Sequence, residues 1–458
     1  MVETALFSVV LLVGLLIAGL TVASQFVPAR YWYAGIAFFA VPQVFLVPVA
    51  GIYPSVALLC CLAPLFAYKQ IRHFWRLDWF KAVSATFLFQ AVSLAWSPSP
   101  LAGFRHLAYL IPFATAAFVA FSLARQRYEF AQKCLGAALV LSAGVALMVL
   151  TFRLSPSIEG SFLGSALARL VISPNVLGSL LDSSKNNILD PSKAGGIFVN
   201  ANTAAAFLGF CAASAWSLGA TRNIPLLRAV AIVDWVAIFF TGSKAGMMVA
   251  ILVPALAIGF DAMRARRLDI RVAAALSFLG AGAAVAAPFA IELFSESGFA
   301  GATTSTLSVR QVIWNFAFLE FLKHPVEGLG FGGWEEKFPI YALMHGVNPN
   351  YPPHNAVMIV WAQSGSLSAL CMIAFAMLFL RWAWRAAFHV DGETRAVARA
   401  LFFGTMWYWL QAQGENFGFL GEAHVTPLLG LLAGVLLARL TPGGAQYTRT
   451  RGTTGRIG

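Results

Sequence analysis

Long apolar runs separated by short polar punctuation dominate this chain. A helix needs about 20 mainly apolar residues to cross a bilayer. Candidate spans fall at 5–24, 33–51, 53–68, 79–96, 104–123, 132–152, 197–218, 225–242, 245–262, 270–293, 355–381, 397–412 and 424–440. The second and third are short and split by Pro48-Val49-Ala50-Gly51-Ile52-Tyr53-Pro54, so one of the first three reads as a half-span and the total as about twelve. Alternating strands in series, the mark of a membrane β-barrel, are missing from the pattern. The expected fold is all-α, a polytopic helical membrane protein.

Composition agrees. Of 458 residues, 59% are hydrophobic and 11% charged, against about 25% charged in soluble domains. The net charge of +12 would suggest nucleic acid in a soluble protein. Here it fits cytosolic loops that touch anionic membrane lipids, and no nucleic-acid partner is expected. Cys60, Cys61, Cys134, Cys211 and Cys371 lie in or beside apolar segments without metal-ligand spacing, and read as packing residues. The segment Ala5 to Ala23 lacks a basic leader and reads as a retained helix.

Basic clusters orient the spans. Lys69, Arg72, Arg76 and Lys81 share one loop; Arg125, Arg127 and Lys133 another; Arg264, Arg266, Arg267 and Arg271 a third; Arg381, Arg385, Arg395 and Arg399 a fourth. Alternation puts them on one side, which the positive-inside rule makes cytoplasmic. The expected organisation is 1–294, N-terminal spans with an outer loop near 153–196; 295–354, a long outer loop with short helices; 355–440, C-terminal spans; and 441–458, a disordered cytoplasmic tail.

The long outer loop carries the chemistry. It runs through Ser308-Val309-Arg310-Gln311-Val312-Ile313-Trp314, then His324-Pro325-Val326-Glu327-Gly328-Leu329-Gly330, to Pro353-His354-Asn355. An arginine, a glycine-rich turn and a histidine at a membrane edge suit an anionic lipid headgroup and acid–base work on it. Arg310 sits on an expected amphipathic helix with Val309, Ile313, Trp314, Ala317, Phe318 and Phe321 on its apolar side. It can bind a diphosphate in two-pronged fashion or form a surface salt bridge to Glu320 or Glu327. His354 precedes an apolar helix, whose positive end disfavours imidazolium and leaves a neutral base; a helix cap or an interfacial histidine is the alternative. His345 and His324 are weaker candidates.

Other outer residues break the bland pattern. Lys244, in Thr241-Gly242-Ser243-Lys244-Ala245-Gly246, either meets an anion at a helix start or snorkels. Arg105 and His106 follow Ser97-Pro98-Ser99-Pro100 and suit phosphate contact or interfacial anchoring. Asn200 and Asn202 can meet sugar hydroxyls or cap a helix, and Glu415 and Asn416 share that ambiguity. Asp234, inside a span, reads as a structural hydrogen-bonding group. With no D-x-D pair or H-E-x-x-H in these loops, Lys and Arg are left to carry any diphosphate charge.

Together these pieces resemble the O-antigen ligase and polymerase family of bacterial envelope assembly. The family pattern has a Gly-Ser-Arg/Lys turn, an Arg-x-x-x-Trp helix, a His-Pro-x-x-Gly-x-Gly turn, and His-Asn or His-Ser at a late span. Here these are Gly242-Ser243-Lys244, Arg310 to Trp314, His324 to Gly330 and His354-Asn355, within about 195–370. Lys244 replaces the arginine of many members, which keeps charge but loses the fork. The resemblance implies a metal-independent, cofactor-free glycosyltransferase of the C type in a Gram-negative inner membrane, its active site facing the periplasm. Its substrates would be undecaprenyl-diphosphate-linked O-antigen and the lipid A-core oligosaccharide. His354 would be the general base, and Lys244, Arg310 and Arg105 would bind diphosphate. His106, Asn200, Asn202, Asn355 and Glu415 would be weaker substrate contacts. The large late loop and compact tail favour ligase over polymerase. The competing class is a lipid-linked glycan flippase, for which Asp234 would suit a coupling site.

Overall fold

The structure is a computed structural model that describes residues 54–266, 298–415, 420 and 422–441, apart from 109, 173, 179, 181–191 and 390. The expected spans at 5–24, 33–51 and 270–293, Asn416 and nearly all of the 441–458 tail lie outside the described residues.

Every regular element among the described residues is helical. The first half holds α1 (Pro54–Phe74), α2 (Asp78–Ser93), α3 (Pro100–Ala108), α4 (Ile111–Val140), α5 (Ser142–Leu154), α6 (Pro156–Leu163), α7 (Ala166–Val171) and α8 (Pro174–Gly178). The second holds α9 (Ala201–Arg222), α10 (Pro225–Thr241), α11 (Lys244–Arg266), α12 (Gly298–Lys323), α13 (Trp334–Met344), α14 (Ala356–Ala387), α15 (Gly392–Ala412) and α16 (Val425–Leu440). The run from Pro100 to Leu154 and the helices Ala201–Arg222, Lys244–Asp261 and Ala356–Ala387 are long and apolar enough to cross a membrane. The chain is a multi-pass helical membrane protein.

The expected break between 123 and 132 is a kink: two helical stretches of α4 meet at Arg127, whose φ of −147° and ψ of 73° are not helical, and α5 begins after Leu141. Arg125, beside the kink, donates from Nη1 to the Thr441 carbonyl at 3.2 Å.

Inside lipid, helices associate through close packing rather than through escape from water. Gly430 and Gly434 of α16 therefore matter: a β-carbon on either would strike the Phe113 or Ala117 carbonyl of α4. Gly209 of α9 likewise lies against the buried Trp407 indole of α15. Trp79 joins α2 to α4 and α14 by edge-on contacts to Phe113 (6.0 Å) and Phe379 (5.0 Å). Asp234 of α10 accepts a 2.5 Å hydrogen bond from Ser142 Oγ, which gives that buried carboxyl its partner at the α4–α5 junction.

α14 is broken at Gly365, whose φ of 76° lies in the left-handed region. The break exposes backbone groups that a neighbour must satisfy, and the 325–332 turn does so. Ser366 N–H and Oγ donate to the Pro325 carbonyl (3.2 and 2.5 Å), Leu329 N–H to Ala362 (2.8 Å), and Gly332 N–H to Gln363 Oε1 (3.0 Å). A β-carbon on Gly328 would sit 2.6 Å from Gly365 N, and one on Gly332 2.6 Å from Gly103 N. Gly328 and Gly330 of the His-Pro-x-x-Gly-x-Gly turn thus allow close backbone approach to α14 and to Ser97, just before α3, and Gly332 beyond the motif does the same against α3.

Candidate active site

The helix carrying Arg310 packs its Ile313, Phe316 and Ala317 into a small core with Leu329, Trp334 and Phe338. Phe316, not Phe318, holds the packed position; Phe318 is exposed. One face of this helix then grips two other segments. Arg310 and Trp314 stand four residues apart and so share that face. Trp314 Nε1 donates to the Pro353 carbonyl at 3.1 Å, and Arg310 Nη2 to the Gly414 carbonyl at 2.7 Å. Asn355 Nδ2 closes the triangle on the Gln413 carbonyl at 3.0 Å. The Arg-x-x-x-Trp spacing therefore has a mechanical reason: it clasps the turn before α14 to the turn after α15.

His354 sits inside this clasp. Its φ of 51° is unusual for a side chain larger than glycine's, although histidine and asparagine tolerate it better than most. Tyr351 lies edge-on at 5.6 Å. Burial, then the Arg310 charge, pushes the imidazole down to about 3, and Nδ1 is buried without a partner. The ring is neutral at pH 7 for these reasons. The helix start is capped by Asn355, whose Oδ1 accepts from Val357 and Met358 N–H (2.9 and 3.0 Å).

Glu415 follows in the same turn and is buried. Burial raises its carboxyl to about 7 against the pull of Arg310, Asn202 and Lys193. Asn202 Nδ2 donates to Glu415 Oε2 at 2.7 Å, and Gln411 Nε2 to the Asn202 carbonyl at 2.8 Å. That fastens the start of α9 to the end of α15. Asn200 caps α9 through Asn202 and Thr203 N–H (2.9 and 3.1 Å). Below it, Glu422 and His424 form a buried pair at 2.8 Å, and the His424 ring meets Phe198 edge-on at 4.6 Å.

Arg310, His354, Asn355, Asn202 and Glu415 thus come together, whereas Lys244 stands on the turn that residues 192–194 lie along, with no direct contact to that group. Asn200 and Asn355 are occupied as caps. His106 bonds to Glu335 (3.2 Å) and abuts Phe331, away from this group's partners. The Arg105 side chain lies outside the described residues. The weaker histidines have local partners, His324 with Glu327 (3.0 Å) and His345 with the Tyr341 carbonyl (2.8 Å). Glu320 pairs with Lys323 at 2.6 Å, so neither suggested carboxylate takes Arg310. The Gln413 and Gly414 carbonyls and Lys193 carried no motif and were missed; the basic Lys193-Ala194-Gly195-Gly196 run was the available signal.

Residues 229–373 match the family described as O-antigen ligase. The matched stretch includes Lys244, Arg310, His354 and Asn355, while Lys193, Asn202 and Glu415 come from flanking sequence. No curated protein matches the chain.

Proposed function

We propose that this membrane protein is an O-antigen ligase: it moves O-antigen from undecaprenyl diphosphate to the lipid A-core oligosaccharide at the periplasmic face of the inner membrane. The family match supports a transferase acting on lipid-linked glycans. The observation that carries the chemistry is Arg310 and His354 in one clasp.

An acceptor hydroxyl approaches His354. Its oxygen forms a bond to the anomeric carbon of the donor as the carbon–oxygen bond to the diphosphate breaks on the opposite side, which inverts the configuration. The proton goes to the imidazole, and the bonding pair leaves on the diphosphate. Arg310 and Lys244 stabilise that developing charge, a service that needs no metal. Burial, and after it the Arg310 charge, keep His354 a weak base. A diphosphate on Arg310 offsets the smaller of these two effects and so raises the basicity of His354. Asp234, hydrogen-bonded within the helix bundle, contributes no step.

The test uses purified protein, lipid-linked donor and lipid A-core acceptor in EDTA. Covalent transfer lost in His354→Asn supports the reading. Turnover that requires added magnesium contradicts it. Extension of the donor by a second lipid-linked repeat, with the lipid A-core ignored, would make the protein a polymerase. Movement of donor across a proteoliposome without covalent transfer would make it a flippase.

A further inference from the structure

The base has no side-chain anchor of its own. His354 Nδ1 is buried without a partner, and the ring meets Tyr351 edge-on at 5.6 Å. An imidazole that works as a base is usually aimed by a hydrogen bond to its other nitrogen. Here the aiming falls to the backbone. That backbone is itself strained, with a φ of 51° at His354. A side chain larger than glycine's stays in such a conformation only where its surroundings fix it.

Two indoles hold the segment that leads into His354. Trp334 Nε1 donates to the Tyr351 carbonyl at 2.9 Å, and Trp314 Nε1 to the Pro353 carbonyl at 3.1 Å. The second of these carbonyls belongs to the peptide that enters His354. Pro353 is buried and has no N–H, so its carbonyl is the backbone group by which it can be held. On the far side Asn355 caps α14 and donates to the Gln413 carbonyl at 3.0 Å. His354 is bracketed by Trp314 in front and Asn355 behind.

Both indoles are firmly seated. Trp334 is buried against Phe316 (5.1 Å) and Phe338 (4.8 Å). Trp314 packs on the same core, which holds Ile313, Phe316 and Ala317 of its own helix. From the same face of α12, Arg310 reaches the Gly414 carbonyl. One rigid helix therefore carries both the leaving-group contact and the hold on the base.

Resting on the transferase reading, we infer that Trp314 is a positioning residue for His354, seconded by Trp334: its indole N–H fixes the peptide that aims the imidazole. Trp314 acts on transfer through His354 and not on the donor.

Steady-state transfer by the purified full chain tests this. Trp314→Phe keeps a ring and loses the N–H. Its kcat is expected to fall roughly tenfold to a hundredfold, with the KM for lipid-linked donor within about a factor of three of the parent's. Replacing Trp314 by benzothienylalanine puts sulfur in place of the N–H and keeps the bicyclic shape, and gives the same loss in a protein packed like the parent. In a His354→Asn background, Trp314→Phe lowers the residual turnover no further, because the group it aims is gone. Trp235→Phe is the control: it loses an indole bond of the same kind, to the Ala250 carbonyl at 2.9 Å, and keeps its kcat. Unchanged kcat in the benzothienylalanine variant overturns the role of Trp314. An equal loss from Trp314→Phe with and without His354 overturns it too, since a structural prop weakens both. Either result leaves the transferase reading standing. A parent protein that transfers no glycan removes that reading itself.

Discussion

The two ends of the helix bundle treat their cations differently. At one end three arginines each pair with a carboxylate: Arg222 with Glu393 (2.8 Å), Arg439 with Asp391 (2.5 Å) and Arg399 with Asp261 (2.8 Å). Aromatic faces add to this, with Arg439 4.5 Å from the Tyr128 ring and Arg399 5.5 Å from that of Phe260. At the other end Arg310 Nη2 takes the Gly414 carbonyl at 2.7 Å, with His354 and the buried Glu415 carboxyl in its field. Carboxylate pairing fixes helix to helix at the first end. At the second the cation is held by the main chain beside a buried imidazole, an arrangement suited to an anionic leaving group.

The comparison breaks first at His354. His354→Asn keeps a residue that tolerates the left-handed backbone but removes the base. Turnover is expected to fall roughly 10²–10⁴-fold with undecaprenyl diphosphate affinity retained; normal turnover would remove the base from the account. Arg310→Ala is expected to cost roughly 10²–10³ in rate, whereas Arg439→Ala at the paired end should leave turnover within about a factor of three and cost stability of up to about 1 kcal/mol in a melting curve. Equal losses of rate at both ends would erase the distinction between them.

A pH series sharpens the role of Glu415. The unfolded carboxyl titrates near 4.5 and the folded one near 7, so the folded state holds the extra proton between those values. Stability from that protonated group is complete below the lower value and lost as pH rises through the upper one. Glu415→Gln removes this dependence, and its melting temperature should gain on the parent's from about pH 5 to about pH 8. A constant difference across that range would show that Glu415 is charged throughout. The smallest effect concerns the clasp: Asn355→Ala loses a helix cap and the bond to Gln413, at about 1 kcal/mol of stability.

Much of this was legible in the sequence because span positions follow directly from apolar runs. Most expected spans within the described residues coincide with helices, including Ala356–Ala387 and Val425–Leu440. Arg310, His354 and Lys244 were legible because charge at an outer helix end is rare and needs a reason. Other features were hidden for physical reasons. The sequence grouped the glycine-rich turn with Arg310 and His354 as a headgroup site; its packing on the break of α14 at Gly365 is a tertiary contact that spacing does not report. The Gln413 and Gly414 carbonyls act through the main chain, which side-chain identity does not report. The 192–194 segment folds onto a turn 47 residues later, from Ala194 to Thr241, and composition cannot foresee that closure. The arginines of α4 did mark a break, which takes the form of a kink at Arg127 and not of an open loop.

The most direct test is an experimental structure of the protein in a lipid nanodisc with undecaprenyl diphosphate bound. The account predicts phosphate oxygens in contact with Arg310 and Lys244, with His354 beside the bond that donor transfer would break. Phosphates seated at the Arg439–Asp391 end, or anywhere apart from the Arg310–His354 clasp, would contradict it.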